Sequence, residues 1–167
     1  GYTDLKANGI GIQEIFELNS CSGRENNSIW FQLIIKKGGT FGFTLTPRSS
    51  SIIEDFDFFI FGPNASCGNL GQAIRCSTTN PAAANQGNNL TGMNASEIDV
   101  SEGPGPDGNS FVNWMTVQDG ESYFLVIDLP IGSSNFDIEW TGSATFADQP
   151  TFENPTATAL DIEQCEN

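Results

Sequence analysis

Asp55-Phe56-Asp57-Phe58-Phe59-Ile60-Phe61-Gly62-Pro63 reads as a β-strand closed by a turn. Phe56, Phe58 and Ile60 fall on one face at the two-residue period of a strand. Asp55, Asp57, Phe59 and Phe61 fall on the other. Gly62-Pro63 punctuates the end. The Asp-x-Asp step places two carboxylates on one face, roughly 7 Å apart along the strand.

The same pattern extends both ways. Upstream, Ile29-Trp30-Phe31-Gln32-Leu33-Ile34-Ile35 is nearly apolar and predicts a central strand buried on both faces. Lys36-Lys37-Gly38-Gly39 is a turn, after which Phe41, Phe43 and Leu45 alternate with Gly42, Thr44 and Thr46. Ile10, Ile12, Ile15, Phe16 and Leu18 predict one or two strands at the front. Downstream, residues 64–108 read as a long loop, with a short strand at Ile74-Arg75 just before Cys76. So long a loop in a compact domain is functional or stapled. Strands resume at 111–117, 122–129 and 136–140, and 144–146 closes the sheet. No stretch combines helical period, length and caps. The reading is an all-β chain: an antiparallel β-sandwich of jelly-roll type with a disulfide-stapled long loop. It assigns 1–148 to one domain and 149–167, with Pro150 and Pro155, to a tail or linker that Cys165 would tie back.

Composition limits the chemistry. The chain has no histidine, 6 Lys+Arg and 21 Asp+Glu, for a net charge of -15. Ser-His-Asp and Cys-His mechanisms are therefore excluded. The charge repels phosphate backbones and anionic lipid, arguing against nucleic-acid and membrane-surface binding. It suits solubility in an extracellular setting, or service to cations. No segment approaches the ~20 apolar residues of a membrane span. Gly1-Tyr2-Thr3-Asp4 lacks a signal peptide's basic start, so the chain reads as a mature fragment or excised module.

Cys21, Cys67, Cys76 and Cys165 contain no C-x-x-C pair, which argues against structural zinc. Their even number reads as two disulfides and an oxidising compartment; the alternative is four buried thiols. Cys67 and Cys76 flank a Gly-containing loop and are expected to pair, leaving Cys21 for Cys165. Closing that longer loop would stabilise the fold by roughly 4–5 kcal/mol in the chain-entropy model.

The strongest constellation is Glu25-Asn26-Asn27-Ser28 together with Glu54-Asp55-Phe56-Asp57. Ca2+ takes about six to eight hard oxygens, and an ion between two such acids relieves their repulsion. The plainer alternative is that these acids cap strand ends. Glu97, Asp99, Glu102 and Asp107 form a second acidic stretch without EF-hand spacing, read as a solvated loop. A glycosidase dyad needs two acids flanking a cleft, for which a sandwich of this size gives no sign. Gly9-Ile10-Gly11 lacks the Lys and helix of a phosphate loop. Asn26, Asn64, Asn89 and Asn94 head glycosylation triplets, a weak signal in an Asn-rich chain. Trp30 and Trp140 read as core; Trp114 is the residue a sugar-binding reading would use.

Glu25-Asn26-Asn27-Ser28-Ile29-Trp30-Phe31, Gly39-Thr40-Phe41-Gly42-Phe43 and Asp55 through Pro63 resemble bacterial pre-peptidase C-terminal (PPC-like) domains. So do Gly120-Glu121-Ser122-Tyr123-Phe124-Leu125-Val126-Ile127-Asp128 and the run from Asn135 to Phe146. The likeness is nearest to modules of surface proteins exported by type IX secretion in gliding bacteria, and covers about residues 19–146. It implies a jelly-roll module of a multidomain exported protein with no catalytic activity of its own. In some relatives calcium sits where the N-terminal segment meets an acidic strand, which implies Glu25, Asn26, Asp55 and Asp57 here; the expected ligands are then Glu25, Asp55 and Asp57, with Asn26 and Asp128 in support. Those relatives include the collagen-binding domains of secreted collagenases, from which the disulfides and a different approach segment depart. The resulting expectation is a calcium-stabilised adhesion or structural module on the bacterial cell surface, monomeric within a longer chain, with a surface glycan or extracellular protein as partner. The alternative is a carbohydrate- or protein-binding accessory domain of a secreted hydrolase.

Overall fold

A computed structural model describes residues 12–16, 18 and 20–147. Among them the strands are β1 (Ile29–Lys37), β2 (Gly39–Pro47), β3 (Asp55–Phe61), β4 (Arg75–Ser77), β5 (Thr91–Asn94) and β6 (Ser101–Glu102). There follow β7 (Phe111–Asn113), β8 (Met115–Val117), β9 (Ser122–Ile131), β10 (Phe136–Gly142) and β11 (Thr145–Phe146). They form a β-sandwich. One sheet has the order β11-β1-β9-β3-β4-β6; the other runs β10-β2-β5-β7, with β8 also paired to β2.

Only Gly38 separates β1 from β2, yet the two strands lie in different sheets. A Cβ on Gly38 would stand 2.6 Å from the Val117 carbonyl oxygen, so the corner admits no side chain without a shift. β9 and β10 make the same crossing, and each pairs antiparallel with its counterpart, β1 with β9 and β2 with β10. Most ladders are antiparallel as expected, but β4–β6 and β5–β7 are parallel. The space between the sheets is filled largely by phenylalanine. Phe43 meets Phe58 edge to face at 5.0 Å between ring centres, and Phe56 meets Phe136 at 5.4 Å. Each pair joins one sheet to the other.

The strand buried on both faces is β3, not β1. All seven residues of β3 are buried, whereas β1 alternates between core and surface. The reason is a second apolar cluster on the outer face of the six-stranded sheet. Ile15, Phe59, Phe61, Cys76 and Val126 form it, with Cys21, Trp30 and Phe124 packed alongside. The residues before β1 supply its cover, while beyond Trp30 the outer face of β1 lies open, with Gln32, Ile34 and Lys36 exposed. The front of the chain thus acts as cover rather than as ladder: among the described residues from 12 to 28 none is in a strand. The expected tail, 149–167, lies outside the described residues.

The disulfide pairing differs from expectation. Cys21 bonds Cys76, 55 residues apart, so neither the Cys67–Cys76 nor the Cys21–Cys165 pairing holds. Proximity along the chain suggested the first. The fold instead carries Cys76 on β4 under the covering segment, where Cys21 lands. Cys67 is also disulfide-bonded, and Cys165 lies outside the described residues. The expected loop at 64–108 is long but not structureless. It contains β4, beginning within the short strand expected at Ile74-Arg75, and also β5 and β6, too short for a periodicity signal.

Candidate metal centre

β3 lies between β9 and β4 in the sheet, and its register with β9 sets Asp57 directly opposite Asp128. Phe58 to Phe61 pair with Ile127 to Phe124 without interruption. Beyond Asp57 the register slips, and Asp55 pairs with Ile131. The slip inserts one residue on β9 beside Pro130, which has no N–H to give to a ladder. By strand alternation Asp55, Asp57 and Asp128 all project from the outer face, at the end of the Phe59/Phe61/Val126 cluster. All three are buried, Asp128 completely.

Partners are few. Asp128 accepts the Asn26 backbone N–H at 2.5 Å, and Asp55 accepts Asn80 Nδ2 at 2.8 Å. One oxygen of each carboxylate, Asp55 Oδ1, Asp57 Oδ1 and Asp128 Oδ2, is buried without any hydrogen-bond partner. Buried polar atoms are nearly always satisfied, so three orphans on one patch demand an account.

Electrostatics agree with the geometry. Burial pushes Asp128 up to about 7, against hydrogen bonds from Asn26 and with repulsion from Glu25 and Asp55. Burial lifts Asp55 to about 6, partly offset by Asn80. Asp57 is held well above the ordinary carboxylate range by burial, then by repulsion from Asp55 and Asp128. No arginine or lysine among the described residues offsets any of these three.

Glu25 stands differently. Its Oε2 accepts the amides of Glu14 (2.7 Å) and Ile15 (3.2 Å), and its Oε1 accepts Ser28 Oγ (3.0 Å) and Trp30 Nε1 (2.8 Å). Four donors satisfy a carboxylate, so Glu25 pins the N-terminal cover to the start of β1 rather than facing the orphaned oxygens. Asn26 stands at the site through its backbone: its carbonyl accepts the Leu129 amide at 3.0 Å. Glu54 turns away from Asp55 and accepts the amides of Ser133 and Ser134, holding the β9–β10 turn.

Asn80 is the site residue the sequence reading missed. It precedes Pro81-Ala82-Ala83-Ala84, and its Oδ1 accepts the Ala83 amide at 2.9 Å. Asn before Pro and alanines is a helix-start signature, which here shapes one turn. That signal was legible; its meeting with Asp55 was not.

The second acidic stretch borders an open hollow of about 360 Å³ lined by Asp99, Glu102, Asp107 and three glycines. Glu102 spends its oxygens on the Asn109 and Ser110 amides and Thr79 Oγ1, an internal structural role. As the side chains stand, no three of His, Cys, Asp and Glu among the described residues are arranged to hold a metal ion. What the patch around Asp57 offers is three carboxylates, each with an open oxygen, while Asn26 and Asn80 face them with N–H groups; hard oxygens of that kind are the ones Ca2+ takes. No protein-family model, curated protein or solved structure matches the chain.

Proposed function

We propose that the chain is a noncatalytic module of an exported protein, of PPC-like type, stabilised by Ca2+ bound at Asp55, Asp57 and Asp128. The observation that carries this reading is the trio of buried carboxylate oxygens with no partner. Three anions in low dielectric must take up protons or a cation. A divalent ion cancels their repulsion and fills the open lone pairs together. The three side chains would have to turn toward one point to share the ion, since as they stand they do not form such a group. Oxygen donors without sulfur or imidazole select calcium or magnesium over zinc. Calcium's tolerance of irregular geometry suits an assembly built from two strands and two loops. The ion would supply structure, with no reaction assigned to it.

Support for export is coarser. Cys21–Cys76 belongs to an oxidising compartment, and no helix among the described residues is long and apolar enough to cross a membrane. Attachment to a surface glycan or extracellular protein is the role this reading gives the module. The net charge of -15 and the all-β frame are the features that support a binding role in this reading.

The test is thermal unfolding in calcium and in chelator. With free calcium at one hundred times its Kd, stability rises by about 2.7 kcal/mol and Tm by roughly 5–10 °C. Titration calorimetry should give one ion per chain. Equal melting under both conditions removes the metal from the proposal.

A further inference from the structure

Residues 20–28 cross the outer face of the six-stranded sheet before the chain turns into β1. At one end Cys21 is bonded to Cys76 of β4, and its carbonyl accepts Thr78 Oγ1 at 2.8 Å. In the middle Gly23 lies on the Phe59 ring of β3; a Cβ there would come within 2.6 Å of Phe59 Cζ. At the other end Asn26 donates its amide to Asp128 and accepts the Leu129 amide, and Asn27 Nδ2 donates to the Leu129 carbonyl at 3.1 Å. The segment is a strap with a covalent anchor on β4 and a polar anchor on β9. Between the anchors it passes Phe59, two residues along the same face from Asp57.

A turn closes within the strap, the Gly23 amide donating to the Ser20 carbonyl at 2.7 Å, but three of its residues stand in a backbone region that needs outside support. Cys21, Ser22 and Asn27 have φ of 49°, 63° and 55°, the left-handed region that side chains disfavour. Their native conformation depends on what the strap is attached to.

We propose that the strap is a wall of the cation site and that the Cys21–Cys76 bond, remote from the carboxylates, sets the affinity of that site. The inference rests on the cation reading above. With the bond closed, Asn26 is presented to Asp128 at little conformational cost, and Asp128 is oriented before the ion arrives. Opening the bond requires a dithiol reductant. Two electrons and two protons pass to Cys21 and Cys76, the S–S bond breaks, and the reductant becomes a disulfide. Cys76 then remains among Ile15, Phe59, Phe61 and Val126, surroundings that suit a thiol, so the sheet survives while the strap loses its covalent anchor and keeps only hydrogen bonds such as those at Glu25 and Asn26. Ion binding must then also order the strap, and the affinity falls. By linkage, calcium protects this disulfide from reduction by the same factor.

The experiment is calcium titration calorimetry on the oxidised chain and on the Cys21→Ser/Cys76→Ser double variant, with hydrogen exchange on both. The expected result is about tenfold weaker calcium binding in the variant. The Asn26 amide should exchange faster while β3 and β9 stay protected. Calcium affinity that is unchanged within experimental error overturns the proposal while leaving the cation reading intact. An oxidised wild-type chain that binds no calcium overturns both. Should β3 and β9 lose protection in the double variant, the wild-type chain gives a second route: the equilibrium for opening Cys21–Cys76 in a dithiol/disulfide redox buffer, with and without calcium. Saturating calcium is expected to shift that equilibrium about tenfold toward the disulfide, and no shift overturns the proposal.

Discussion

Asp57 meets Asp128 across the β3–β9 ladder, and like charges directly opposite destabilise a sheet. Asp57→Asn keeps the shape and removes the carboxyl that burial, Asp55 and Asp128 all disfavour as an anion. At pH 8 in chelator the variant should melt at or above the wild-type temperature. Its response to calcium should shrink from roughly 5–10 °C to under about 2 °C. Differential scanning calorimetry with and without calcium reads both numbers. A variant that keeps the full calcium shift would move the ion elsewhere. Glu25 teaches the opposite lesson at the same scale. As an acid beside a core strand it looked like a ligand, but four donors already use its oxygens.

The strap is the element whose packing explains why β3 has no exposed face. Gly23 is needed for its close approach, because a methyl group would stand 2.6 Å from Phe59 Cζ and 2.8 Å from Thr78 Cγ2. Gly23→Ala should therefore cost about 1–3 kcal/mol, the range of overpacking. Urea unfolding should show the lower midpoint, with proteolysis in the strap before global unfolding. An unchanged midpoint would mean that the strap is not seated on Phe59. The alternation of β2, β9 and β10 was legible in the sequence, since each has one face on the core. β1 misled because its outward Ile34 looked like core in a one-dimensional pattern.

For the whole molecule, the buried acids reverse the usual pH dependence of a protein's carboxylates. Asp128 and Asp55 have folded-state pKa values of about 7 and about 6 against an ordinary 3.8, and Asp57 lies higher than ordinary too. Between those limits the folded chain holds more protons than the unfolded one, so unfolding free energy falls as pH rises. Glu14, raised by burial and by Glu25, acts in the same direction. Asp137, lowered by the Arg48 guanidinium 3.1 Å away, acts in the other, but that pair is exposed and contributes little. The metal-free protein should lose stability steadily from about pH 4 to pH 7 and beyond. Saturating calcium should flatten or reverse this loss, because the ion binds the deprotonated acids. Melting curves at pH 5 and pH 8, each in chelator and in calcium, check it. A metal-free chain that gains stability with rising pH would contradict the burial of these acids.

The sequence by itself determined the β class, most strand positions and the face on which each acid lies. These follow from a two-residue period and from turn residues, both local properties of the chain. The lack of histidine and the excess of acid likewise limit the side chains any site here could use, without any fold. Only the tertiary structure decided that Asp57 faces Asp128, that Asn80 reaches Asp55, and that Cys21 takes Cys76. Each of these joins residues at least 25 positions apart. Such pairings depend on strand order and on where the strap crosses the sheet, and no periodicity along one strand encodes which strand will lie beside it.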